Sequence, residues 1–332
     1  MKRIALLLAF WFASLPLVSM SVQAEVIVDG ISYDTIEEAQ RAIKDNSRVY
    51  LSEGIYSGLK IVADNVEIIG DRNVVFNSPI EGKAAIVVSG SNVLIEQIEC
   101  YGIKVSDNNG ACVRQQGRDL TLRGVYFHNS QQGILSAHGT GSLTIEFSRF
   151  ENLGKIGRAH AIYSNNETLT IRDSTIINSV SQGHEIKSRA RVTTILNSVV
   201  GSIDTEDSRT IDISNGGTLK IDNSILLQGR NTKNRQLIGY ALEGSSKERD
   251  NTISISNSMF ILERVGPDEI LLAPEKLNVS VSIERNVIIG EQVIDMESHP
   301  GNSYFSSREE AGVKGGVPSL DTLAAALFIH IK

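Results

Sequence analysis

Two short strings gather most of the side chains that can move protons or hold anions. They are His160-Ala161-Ile162-Tyr163 and Gly183-His184-Glu185-Ile186-Lys187-Ser188-Arg189-Ala190. Imidazole titrates near neutral pH, a phenol donates a proton, and ammonium and guanidinium groups pair with carboxylates. His160 and His184 each stand nine residues upstream of a recurring apolar string, at Leu169 and Thr193. If those strings stack, the two histidines stack as well. Ile162 and Ile186 then point inward, and strand alternation predicts Ala161, Tyr163, Glu185 and Lys187 on one outward face, with both histidines at its edge. One period further on, Arg209 falls near His184 and Asp212 near Lys187. One coil back stands His138, and Arg114 lies in the same general row.

The cations need a physical reason. Lys187, Arg189 and Arg191 on a single coil repel one another unless something anionic is present. The chain carries 32 Lys and Arg against 39 Asp and Glu, a formal charge of −7. On an acidic protein, a cluster of Arg158, His160, His184, Lys187, Arg189, Arg191 and Arg209 reads as an anion-binding groove. The bland alternative is that these groups keep a solenoid surface soluble while the histidines merely stack.

What must position them is a repeat. Strings of the form apolar-Thr/Ser-apolar recur at Leu143, Leu169, Leu219, Ile253 and Val281, with Val66, Val93, Leu120 and Thr193 joining by alignment. Their spacings are 27, 27, 23, 26, 24, 26, 34 and 28 residues, a solenoid period. Each repeat holds two or three short strands separated by Asn, Asp, Ser and Gly, with no helical periodicity, so helical solenoids are excluded. The predicted fold is an all-β solenoid, a single-stranded right-handed parallel β-helix of about eight to ten coils, each stacked about 4.8 Å above the last. The 34-residue step contains Gly244 to Asp250, read as a projecting loop.

The expected organisation is a signal peptide over residues 1–24, an N-terminal cap and first strand over 25–60, the β-helix over 61–300, and a tail or cap over 301–332. Lys2 and Arg3 precede an apolar run and then Val22-Gln23-Ala24, which suits cleavage before Glu25; an uncleaved anchor is the alternative. Cleavage leaves a charge of −9 and no later stretch apolar enough to cross a membrane, so a periplasmic or extracellular chain is expected, soluble and monomeric. Thr35-Ile36-Glu37-Glu38 has capping-box spacing, with Ile36, Ala39, Ala42 and Ile43 on one face, predicting a short capping helix over 35–45. Pro318-Ser319 before Leu320, Leu323, Ala324 and Leu327 predicts a closing helix or a loose tail. Cys100 and Cys112 suit a bridge in an oxidising compartment, or two small buried hydrophobes.

The capping segment followed by Val49-Tyr50-Leu51-Ser52-Glu53-Gly54-Ile55-Tyr56, and then coils of this kind, resembles the secreted right-handed β-helix proteins of the pectate-lyase-like superfamily. That resemblance covers nearly all of the mature chain. It implies the fold rather than one activity, since the superfamily includes lyases, hydrolases, epimerases, adhesins and tailspikes. The strings around His160 and His184 are similar to those in β-helix polysaccharide lyases of bacterial exopolysaccharides and the biofilm matrix. This similarity implies that His160, Tyr163, His184, Lys187 and Arg189 are the catalytic positions, without assigning their roles.

Chemistry narrows those roles. β-Elimination from an acidic polysaccharide requires a cation to neutralise the uronate carboxylate, a base for the adjacent proton and an acid for the leaving oxygen. Lys187 and Arg189 suit the first task, His184 or His160 the second and Tyr163 the third, with Arg114, His138, Arg158, Glu185, Arg191, Arg209 and Asp212 as substrate contacts. A glycoside hydrolase needs two carboxylates roughly 5 to 9.5 Å apart, for which Glu185 and Asp212 are the candidates. A non-catalytic glycan-binding or structural matrix β-helix would use the same cations. The partner in every case is an anionic polysaccharide. No cofactor is required; calcium at Asp204, Glu206 and Asp207 is a weaker reading. No phosphate loop, zinc spacing or basic-aromatic nucleic-acid surface is seen.

Overall fold

The computed structural model describes residues 25–245 and 249–331. The proposed signal peptide at residues 1–24 lies outside the described residues. The chain winds into a parallel β-solenoid of about nine turns, with three sheets of 12, 11 and 9 strands running its length. A representative turn contributes Thr168–Arg172 to the first sheet, Thr175–Ile177 to the second and Ile186–Ser188 to the third. Leu120, Leu143, Leu169, Thr193, Leu219, Ile253 and Val281 stand in one register along the first sheet, as the repeat spacing requires.

The Asn/Asp-Ser pairs that punctuate the repeats have a physical explanation. The corner from the first sheet to the second is made by a single residue in the left-handed region: Asp173, Asn197, Asn223 and Asn257 have φ between +46° and +52°. Asn and Asp tolerate that region best among residues with a side chain. The serine that follows turns inward. The buried backbone N–H of Ser148 donates to Ser174 Oγ, that of Ser174 to Ser198 Oγ, that of Ser198 to Ser224 Oγ and that of Ser224 to Ser258 Oγ, at 3.1 to 3.2 Å. Each hydroxyl in turn donates to the carbonyl two residues back, as Ser174 does to Arg172 at 2.8 Å. Backbone donors that the corner would strand in the interior are thereby satisfied.

The rest of the interior is aliphatic and aromatic. Phe76, Cys100, Phe127 and Phe150 share one inward column of the second sheet, and Cys100 is bridged to Cys112, with Cα atoms 5.7 Å apart. The bridge therefore ties the second-sheet strand of one turn to its third-sheet strand.

Helix α1 (Ile36–Ala42) is N-capped by Thr35, whose Oγ1 accepts from the Glu38 N–H at 3.2 Å, and it buries Ile36 and Ala39. Helix α2 (Leu320–His330) is N-capped by Ser319. Its Leu323 and Ala326 pack on outward residues of the second sheet, among them Leu227, Ile261 and Ile289, so the tail is a helix seated on the flank. Those outward positions are apolar in this part of the solenoid, which is what draws the helix there. Among the described residues, no helix is long and apolar enough to cross a membrane.

Candidate active site

On the third sheet, Arg114, Leu135, Tyr163, Lys187, Asp212 and Gly239 form one outward column, one residue per turn. Ile162 and Ile186 point inward between them and are fully buried. The column brings together a phenol, an ammonium and a carboxylate. Lys187 Nζ lies 5.8 Å from the centre of the Tyr163 ring and 3.8 Å from Asp212 Oδ2. Arg189, just past the strand, donates from Nε to Tyr163 Oη at 3.1 Å and from Nη1 to Asn215 Oδ1 at 2.8 Å.

The anion these cations call for belongs to the protein. Glu243 Oε1 accepts from Lys187 Nζ at 2.6 Å, and Glu243 Oε2 accepts from Arg189 Nη2 at 2.5 Å. Burial raises the Glu243 pKa, but hydrogen bonds from Lys187 and Arg189 outweigh it, so the carboxyl is held below its ordinary value. Repeat spacing does not reveal Glu243, because it stands in the 34-residue step where the period is broken. That step was the available signal.

The two histidines do stack, with ring centroids 4.9 Å apart, and the edge of the His160–Tyr163 pair is T-shaped at 5.3 Å. Both are buried in the wall rather than presented at the edge of the face. The His184 N–H donates to His160 Nδ1 at 3.0 Å, which leaves the proton of the neutral His160 ring on Nε2. Burial pushes His160 well below its ordinary pKa, and the charges of His184, Lys187 and Arg189 add to the effect. Burial also takes His184 down to about 4, with the Asp212 carboxylate opposing. His184 Nδ1 lies 3.0 Å from the Arg209 carbonyl and Nε2 lies 3.4 Å from Asp212 Oδ2, so both of its ring nitrogens face wall groups.

Glu185 departs most from expectation. It is fully buried, not outward, and Ser179 N–H donates to its Oε1 at 3.0 Å. Alternation holds only within the three-residue strand Ile186–Ser188, and Glu185 belongs to the turn before it. Its neighbour is Asp207, also fully buried and accepting from Thr232 Oγ1 at 2.6 Å. Burial raises both carboxyls, Asp207 to about 6, and the charge of Asp207 raises Glu185 further. Among the described residues, neither Glu185 Oε2 nor Asp207 Oδ2 has a hydrogen-bond partner. They are satisfied together when one of the pair keeps its proton and donates to the other.

The remaining candidates are dispersed. Arg209 is in the wall, with Nη1 3.4 Å from Asp212 Oδ2. Arg114 is half-buried two turns from Tyr163 on the same column. His138 is exposed in the turn after Gln132–Ser136, at the far end of that strand from the His160 row. Arg158 and Arg191 are exposed in turns. Asp204 and Glu206 are exposed, Glu206 pairs with Lys233 at 3.0 Å, and Asp207 faces the interior, so the acidic trio is divided. Among the described residues, no group of three or more His, Cys, Asp or Glu side chains is placed to hold a metal ion.

No family model matches the chain, and no curated protein matches it. Among solved structures, the chain is similar to the tailspike protein gp49 of Acinetobacter baumannii bacteriophage Fri1, a capsular polysaccharide depolymerase. The match has 11% identity and a TM-score of 0.47, over 82% of this chain and 58% of that one. The chain thus spans little more than half the length of that tailspike. It is also similar to a pectin methylesterase from Aspergillus niger, at 12% identity and a TM-score of 0.39, over 90% of this chain and 93% of that one.

Proposed function

We propose that the outward face of the third sheet binds an acidic polysaccharide and cleaves it by β-elimination, in a protein exported by residues 1–24 and closed at its first turn by α1. The observation that carries this reading is the fork: Lys187 and Arg189 hold a carboxylate between them, and Arg189 also donates to the Tyr163 phenol. A uronate carboxylate in the same fork would have its charge neutralised, which acidifies the adjacent carbon-bound proton. Because both histidines are engaged in the wall, Tyr163 is the proton carrier in this reading. As phenolate it takes the proton beside the carboxylate; the C–H electrons form the double bond as the C–O bond to the next sugar breaks, and the phenol returns the proton to the leaving oxygen. Arg189 at the phenol oxygen favours negative charge there during the transfer.

The test is incubation with a panel of polyuronates while following the absorbance of unsaturated uronate ends. Products with that chromophore support the assignment, and chain cleavage without it defeats the assignment. The second reading is hydrolysis, favoured by a specific contact. Asp212 and Glu243 flank Lys187 Nζ at 3.8 and 2.6 Å, so their nearest oxygens are no more than roughly 6.5 Å apart, close enough for two-carboxylate chemistry. This pair takes the place of Glu185 with Asp212, which the burial of Glu185 removes. Hydrolysis predicts saturated products and loss of cleavage in both Asp212→Asn and Glu243→Gln.

A further inference from the structure

Glu243 does more than neutralise two cations. Its side chain is 42% exposed, whereas those of Lys187 and Arg189 are 11% and 26% exposed, so the carboxylate reaches the cations from the solvent side. Each carboxylate oxygen has its own donor, the arrangement in which a ligand carboxylate is held most selectively. The main chain around it is fixed independently of that contact. Glu243 N–H donates to the Ser214 carbonyl at 3.0 Å, and the flanking residues Ala241 and Gly244 have φ of +54° and +97°, a turn that sets the direction of the side chain. At the far end of the excursion, Arg249 donates to the carbonyls of Arg189, Ala190 and Gly216 at 2.9 to 3.0 Å. Exchange at the fork therefore needs only rotation of one exposed side chain.

We infer that Glu243 holds the place of the ligand carboxylate and acts as the specificity-determining residue of the site, admitting polymers that bring a carboxylate and rejecting neutral ones. The inference rests on reading this face as an acidic-polysaccharide site and deepens it. A uronate replaces Glu243 one carboxylate for another, so Lys187 and Arg189 stay paired. A neutral sugar that displaces Glu243 leaves Lys187 with only Asp212, at 3.8 Å, and Arg189 with Tyr163 and Asn215, all uncharged or distant. Leaving part-buried cations underpaired is the penalty that excludes the neutral ligand. The same competition weakens binding of the correct ligand, because Glu243 has to be displaced first.

Titration calorimetry with oligogalacturonate and oligomannuronate, and with their carboxyl-reduced counterparts, tests this. Glu243→Gln is expected to bind at least one oligouronide at least about tenfold more tightly than the wild type, and to admit the reduced sugars that the wild type rejects, because they no longer have to displace Glu243 from its cations. Adding Lys187→Ala to that variant is expected to abolish the gain. Glu243→Asp, which keeps the charge on a shorter side chain, is expected to fall between the two and serves if the amide variant folds poorly. Equal or weaker uronide binding by Glu243→Gln, continued rejection of the reduced sugars by that variant, or no binding by any form overturns the inference. Absorbance of unsaturated ends in the same samples separates the two claims. Tighter binding without unsaturated products keeps the selector role and defeats elimination. Unsaturated products with unchanged affinity do the reverse.

Discussion

The outward faces of the first and third sheets both carry lines of charge, and they neutralise them differently. On the first sheet, Glu96, Arg123, Glu146 and Arg172 occupy one column in successive turns, acid and base alternating. Arg123 reaches Glu96 and Glu146 at 3.4 Å each, and Arg172 pairs with Glu146 from the other side. Every charge there finds its partner in the next rung, and the arginine side chains are 41% and 42% exposed. On the third sheet, Tyr163, Lys187 and Asp212 follow one another, and the cations of one turn obtain their carboxylate from Glu243, 54 to 56 residues further along the chain. A charge ladder closed within its own register is scaffold. A cluster whose partner has to be brought in by an excursion from the period has room for a different partner, as the proposed site requires.

The largest expected effect would break this comparison outright. Tyr163→Phe should lower turnover on the productive polyuronate by at least about a hundredfold, the size expected for loss of a positioned proton carrier, with unfolding little changed. A variant that keeps near-normal turnover would mean the third-sheet cluster is scaffold too. Glu146→Gln should instead cost about 2 kcal/mol of stability in denaturant unfolding, because two arginines lose the carboxylate they share, and should leave turnover unchanged. Lost turnover in a folded Glu146→Gln protein would blur the distinction.

A third test concerns charge that neither a ladder nor a loop neutralises. Glu185 and Asp207 are held above their ordinary values, so the folded chain keeps their protons to higher pH than the unfolded chain does. Their contribution to stability is complete at acid pH and is lost as pH rises, that of Asp207 through about 6 and that of Glu185 in the same sense, with a slope of up to about 1.4 kcal/mol per pH unit for each proton. His160 and His184, held below their ordinary values, act in the opposite sense as pH falls below 6.5. The readout is therefore the difference between the wild type and Glu185→Gln, in which an amide donor replaces the shared proton. Denaturant unfolding from pH 5 to pH 8 should show a flatter profile in the variant, and superimposable profiles would refute the shared-proton pair. The smallest effect belongs to Arg123→Ala. It should cost under about 1 kcal/mol and less still at high salt, as for other half-exposed pairs.

Much of the fold was legible because a solenoid turns spacing into adjacency. The recurring Leu/Ile strings, the Asn/Asp-Ser corners and the row of Tyr163, Lys187 and Asp212 all follow from one period. The same count places His160 against His184. It does not say which way a residue outside a strand points. Glu185 was expected outward by alternation, but it lies in a turn one residue before a three-residue strand and faces the interior. The histidines likewise stack as expected, yet sit in the wall rather than at the edge of the face, because the turn that carries them packs inward.

The sequence by itself determined which residues share a rung and a column, because parallel strands about 4.8 Å apart leave little freedom once the period is set. Only the tertiary structure decided which carboxylate meets Lys187 and Arg189. The answer lies in an insertion that departs from the period, and its path depends on the packing of Glu243 over Ser214 and of Arg249 over the carbonyls of the neighbouring turns. Long-range contacts of that kind are set by the fit of side chains in space, and no local pattern records them.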